Sequence, residues 1–177
     1  MDAARKGIVT PQIEAVAKKE YMDVNKLMSL VAQGKVAIPA NKKHTCLNPE
    51  GIGSMLRTKI NVNLGVSRDC KDYDIEMQKV MSAVQLGAEA IMDLSSHGNT
   101  QPFRQKLTAE CPAMIGTVPV YDSVIHYQRD LATLTAKDFI DVVRLHAQDG
   151  VVFVTVHCGI TRKTIEQIKT HKRKMNI

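Results

Sequence analysis

The chain has 177 residues, 44% of them hydrophobic, carries a net charge of +6 and contains no Trp. That is long enough for one domain with its own core and ordinary for a globular protein; no run of about 18 apolar residues exists, so no membrane-spanning helix is expected. The start, MDAARK, has no apolar signal region, which makes a cytoplasmic location the expectation. The basic excess gathers at residues 41–44 and 169–174 without interleaved aromatics. This argues for a solvated basic face and against nucleic acid, and it would also suit a small phosphorylated ligand.

In chain order, Thr10 with Pro11 predicts a helix start, followed by Ile13, Val16 and Ala17 at helical spacing. Asp23 predicts the cap of a second helix through Val24, Leu27, Met28 and Val31, with Gly34 just past its end. Residues 36–39 read as an extended piece, and 40–57, with Pro49, Gly51 and Gly53, as a loop. From Thr58 a β/α rhythm begins. Its apolar runs are KINVN (59–63), AEAIMDLS (88–95), MIGTVPVY (114–121) and VVFVTVH (151–157). Between them, Asp74 predicts a capped helix bearing Met77, Val80, Met81 and Val84 and closed by Gly87. Thr100 predicts the cap of another with Phe103 and Leu107, and residues 122–131 a helical turn. Thr135 with Asp138 forms a capping-box pattern before Phe139, Val142, Val143 and His146, closed by Gly150. Thr161 opens a last helix with Ile165 and Ile168, and residues 174–177 read as the start of a fifth strand.

Near-continuous apolar strands alternating with helices predict a parallel sheet. Asn63, Met92, Tyr121 and His157 lie at steps of 29, 29 and 36 residues near the strand ends. In a (β/α)8 TIM-type barrel those ends share the face that carries the active site. The chain supplies a helical preface (1–57) and about the first four to five β/α units (58–177). Eight units would need about as many residues again, so a barrel fragment is favoured over a small open sheet.

His157 follows the last run, where an imidazole would ligate, donate to phosphate or transfer a proton; a satisfied structural histidine is the competing reading. Pro119 marks the end of regular pairing and frees Tyr121 to face the barrel mouth, against a buried core Tyr. Asn61 and Asn63 share a face; Met92 reads as core, with Asp93 pointing the other way. The loop 95–100 (SSHGNT) reads as a plain β/α turn or an anion cradle at a helix start. The four cysteines, Cys46, Cys70, Cys111 and Cys158, lack zinc or iron–sulfur spacing and are expected as free thiols, with Cys158 next to the candidate His157. Nucleotide-loop motifs, a Ser–His–Asp triad and a carboxylate pair are not found.

The stretches RTKINVNLG (57–65), GAEAIMDLS (87–95), IGTVPVY (115–121) and FVTVHCG (153–159), with ARKGI (4–8) and GIG (51–53), resemble the radical S-adenosylmethionine phosphomethylpyrimidine synthase family of thiamin biosynthesis over nearly the whole chain. That family includes the paralogue 5-hydroxybenzimidazole synthase. The resemblance implies an enzyme that rearranges 5-aminoimidazole ribotide, with a [4Fe-4S] cluster, S-adenosylmethionine and a divalent metal, zinc or iron, as a homodimer. Its substrate contacts fall on Asn63, Met92, Tyr121 and His157. The family's Ser-Arg-Gly stretch, its two metal-binding histidines and its Cys-x2-Cys-x4-Cys motif are not in these 177 residues. The cluster-binding domain is therefore outside the chain, no metal ligand is assigned within it, and the chain alone is expected to lack turnover. Two departures matter. The thiamin enzymes usually read Leu-Ser-Thr-Gly where residues 94–98 read LSSHG, and Asp where Val152 stands. The first points to the benzimidazole branch, with the thiamin pyrimidine as the alternative and a non-catalytic ribotide-binding module as a rival of another class.

Overall fold

The structure, a computed structural model, describes residues 1–170. The N-terminal region holds three helices, α1 (Asp2–Arg5), α2 (Pro11–Lys19) and α3 (Val24–Ala32). Both expected caps form: Thr10 Oγ1 accepts from the Ile13 amide and Asp23 Oδ1 from that of Lys26. Burying Ile13, Val16, Leu27 and Val31 gives these helices a core of their own. The segment read as a loop contains a strand. β2 (Ile52–Gly53) pairs antiparallel with β1 (Val36–Ala37), and Gly53, at φ +144°, lies against the Lys35 carbonyl where a side chain would collide.

Four strands follow: β3 (Asn61–Leu64), β4 (Ala90–Asp93), β5 (Met114–Thr117) and β6 (Phe153–Val154). They form a parallel sheet in the order β3-β4-β5-β6. Helices α4 (Tyr73–Gln85), α5 (Gln101–Glu110), α6 (Pro119–Tyr127) and α7 (Ala136–Gln148) connect them, and α8 (Arg162–Thr170) follows β6. Ile91 and Ile115 pack with Met77, Val80, Phe103 and Leu107, so α4 and α5 cover one sheet face. The alternation of a strand puts Asn63, Met92 and Gly116 on the other face. Parallel strands in sequential order, with their core helices on that one face, fit the β/α rhythm; the sheet seen is four-stranded and open.

Several elements depart from expectation. Helix α4 is capped by Asp72, whose carboxylate accepts from the Asp74 and Ile75 amides, and Asp74 lies in the first turn. Thr100 stands at the N-cap of α5, but its backbone is helical and its hydroxyl makes no cap bond. The third apolar run is two elements: β5 stops at Thr117 and α6 starts at Pro119, because proline without an N–H suits the first helical turn. Tyr121 is therefore a first-turn helical residue. The fourth run is mostly not strand, with only Phe153 and Val154 paired, and His157 sits three residues beyond. The expected capping box at Thr135 and Asp138 forms in full. The proposed fifth strand at 174–177 and most of the basic tail lie outside the described residues.

Candidate functional site

The sheet face opposite α4 and α5 carries Asn63 and Met92, whereas Tyr121 lies in α6 and His157 beyond β6. Asn63 on β3 stands in direct register with Met92 on β4, and Met92 with Gly116 on β5. Gly116 leaves β5 without a side chain there because the Phe153 ring fills the space: a Cβ would come 2.2 Å from it. Asn61 Nδ2 donates to Asn63 Oδ1 at 3.4 Å, so the two amides share a face. Thr155 Oγ1 donates to Met92 Sδ at 3.9 Å, which ties β4 to the segment leading to His157. The Tyr121 and His157 rings lie with centroids 6.1 Å apart, tilted by 41°. The four residues thus form two pairs, Asn63–Met92 in the sheet and Tyr121–His157 by ring contact, with Thr155, two residues before His157, reaching Met92. His157 is exposed and Tyr121 is 41% exposed, so neither is the buried core residue of the competing reading. Met92 is 8% exposed, a core residue by burial, as the sequence suggests.

Behind the strand ends lies a buried polar cluster. Asp122, next to Tyr121, accepts from Thr100 Oγ1 (2.5 Å), His146 Nε2 (2.9 Å) and Arg104 Nη1 (3.3 Å). Thr117 Oγ1 is 2.8 Å from His146 Nδ1, and Arg104 Nη2 is 2.9 Å from Asp149 Oδ2. Burial pushes the Asp122 carboxyl up, but the hydrogen bonds from His146 and Thr100 and the Arg104 charge outweigh it and hold it at about 2. Asp93 goes the other way: burial raises it, although the Ser95 amide and hydroxyl both donate to it. Sequence reading placed His146 on a helix face and missed its partners. A titratable residue on an otherwise apolar stripe was the available signal. A cleft of about 600 Å³ lined by Thr100, Arg104, Asp122, His126 and Gln128 opens between α5, α6 and α7.

The loop 95–100 behaves as a turn. Ser95 Oγ donates to Asp93 and accepts from the Val66 amide, Asn99 Oδ1 accepts from the Gln101 amide, and Thr100 is held by Asp122. Ser95, Asn99 and Thr100 are thus engaged in holding the turn to its neighbours. Val152 is half-buried, and its amide donates to the Ile115 carbonyl. The cysteines are free, Cys158 exposed and Cys111 buried. Among the described residues no three His, Cys, Asp or Glu side chains are grouped to hold a metal, and no helix is long and apolar enough to cross a membrane.

Comparison with known proteins decides the family. The model of the Radical SAM ThiC family matches residues 1–177. The chain belongs to the radical SAM ThiC family. Three curated relatives, all named phosphomethylpyrimidine synthase, are similar over its whole length: 57% identical in Clostridium novyi, 56% in Alkaliphilus oremlandii and 54% in Clostridioides difficile. The chain spans about 40% of the length of these ThiC relatives. The radical SAM name implies a [4Fe-4S] cluster and S-adenosylmethionine, yet the described residues provide no ligand set for a cluster or a divalent metal.

Proposed function

We propose that the chain is the substrate-side part of a phosphomethylpyrimidine synthase acting on 5-aminoimidazole ribotide. The observation that carries this reading is the whole-length similarity, at 54–57% identity, to relatives of that name. The contact path Asn63–Met92–Thr155 and the Tyr121–His157 ring pair support it, since Thr155 precedes His157 by two residues and brings that segment to Met92. In this reading the Tyr121 phenol and His157 imidazole hydrogen-bond the ribotide, Asn63 supplies an amide contact and Met92 a packing surface. These residues bind and orient the substrate; holding it in one pose is what positioning contributes to a rate. Cluster and metal chemistry belongs to residues other than those described.

The four β/α units form the first half of a (β/α)8 barrel in this proposal, with residues 1–57 as a helical region and the assembly a homodimer in the cytoplasm. Sequential parallel strands with helices packed on one face support the barrel. The test is mass spectrometry of the product formed from the ribotide by the full-length enzyme: the hydroxymethylpyrimidine phosphate is expected. A second reading, 5-hydroxybenzimidazole synthesis, draws on the unusual loop LSSHG at residues 94–98, and appearance of the benzimidazole would establish it in place of the first.

A further inference from the structure

Asp122 adjoins Tyr121 in the first turn of α6, and successive residues on a helix point about 100° apart. Tyr121 faces His157 while Asp122 faces inward, 8% exposed. Its carboxylate receives donors from three places: Thr100 in the turn before α5, Arg104 within α5 and His146 on α7. Two of these donors are themselves tied down, His146 by Thr117 at the end of β5 and Arg104 by Asp149 after α7. Val118 offers no side-chain cap, and the helix stops at Gln128 in the left-handed region, φ +50°. Pro119 and Ser123 are buried on the same side and α6 packs along α7, and Asp122 is the charged anchor within that contact.

We propose that Asp122, gripped by Thr100, Arg104 and His146, is a positioning residue for Tyr121 that holds the phenol against His157 at the ribotide pocket. Its functional consequence rests on the reading of Tyr121 as a ribotide contact; its geometric content does not. A buried ion pair that served stability alone would leave the Tyr121 ring where it is once the chain is folded. A positioning role would not, so the ring contact discriminates between them.

The experiment uses the 177-residue chain with ring-labelled Tyr and His, as wild type and as Asp122→Asn, Tyr121→Phe, the double variant and Thr117→Val. Ring-to-ring cross-peaks between Tyr121 and His157 are recorded by NMR, and 5-aminoimidazole ribotide binding by calorimetry. In folded Asp122→Asn the cross-peaks are expected to vanish and affinity to fall roughly tenfold, with the double variant no weaker than the weaker single, as residues acting through one contact should behave. Thr117→Val, which removes only the outer tie on His146, should weaken the cross-peaks and keep the protein folded even where Asp122→Asn does not. Cross-peaks that persist unchanged in both folded variants overturn the proposal, as does additive loss of affinity in the double variant. If the wild-type chain does not bind ribotide, the pocket reading falls, and the cross-peaks alone decide whether Asp122 sets the ring.

Discussion

His44 is 3% exposed; its Nε2 donates to the Cys111 carbonyl at 2.7 Å, and its Nδ1 has no partner. Burial lowers its pKa, and the carbonyl bond only partly restores it. The unfolded chain therefore takes up a proton that the folded chain resists. Stability is full above the ordinary histidine range, about 6.5, and is lost as pH falls through it. Denaturant titrations at pH 7.5 and 5.5 should show this acid loss in the wild type, and His44→Asn should show a flatter dependence. An equal slope in both would assign the effect elsewhere. Asp122 follows the same sign in a lower window: its stabilisation is present above the ordinary carboxylate range and fades as pH drops towards about 2. Gly116 gives a steric prediction. A methyl there meets the Phe153 ring, so Gly116→Ala should cost roughly 1–3 kcal/mol by overpacking, read as a lower denaturation midpoint with an unchanged slope.

At the scale of elements, local chemistry and local structure agree where the signal is short-range. Thr135 Oγ1 accepts from the Asp138 amide, and Asp138 Oδ2 accepts from that of Thr135, as residue types three apart predict. Thr135→Ala should cost about 1 kcal/mol, measurable by thermal unfolding; no change would mean that packing of Val142 and His146 alone holds α7. Helix α6 shows the limit of local reading. MIGTVPVY has the composition of one strand, and the proline that ends it also starts a helix. Whether a residue before a proline leads into a turn or a helix is decided by what the following segment packs on. Here that is the buried contact of Asp122 with α5 and α7.

Across the whole molecule, the two cores are joined by charge. Lys59, before β3, pairs with Glu20, after α2, with the side chains 6% and 4% exposed. Arg57 Nη1 meets Glu89 Oε1 at 2.6 Å, and Lys19 Nζ meets Glu50 Oε1 at 2.6 Å. Burial pushes Glu20 up, but the bonds from Lys59 and the Arg57 amide, with both positive charges, bring it below its ordinary value. Removing one member leaves the other buried and uncompensated, so Glu20→Ala should lower stability by roughly 3 kcal/mol. A midpoint within error of the wild type in a denaturant titration would show that the Glu20–Lys59 pair contributes nothing to holding the helical region on the sheet. The absence of a ligand cluster among the described residues carries a chemical prediction. After treatment with iron and sulfide, this polypeptide should not cleave S-adenosylmethionine; 5′-deoxyadenosine in the mixture would contradict it.

The sequence by itself determined the β/α alternation, the caps at Thr10, Asp23 and Thr135, the parallel sheet and the family. These rest on near-neighbour chemistry, hydrophobic periodicity and long motifs, all written along the chain. The spacing of Asn63, Met92, Tyr121 and His157 singled out those residues, but it did not show that Tyr121 lies in a helix and His157 beyond its strand. Only the tertiary structure decided how those residues meet. Register sets Asn63 beside Met92, Gly116 makes way for Phe153, and Thr155 reaches Met92 across 63 positions. The cluster of Asp122, His146, Arg104, Thr100 and Thr117 was illegible for the same reason. Its members come from four separate segments, and a buried charge is stable only where partners from distant parts of the chain converge on it.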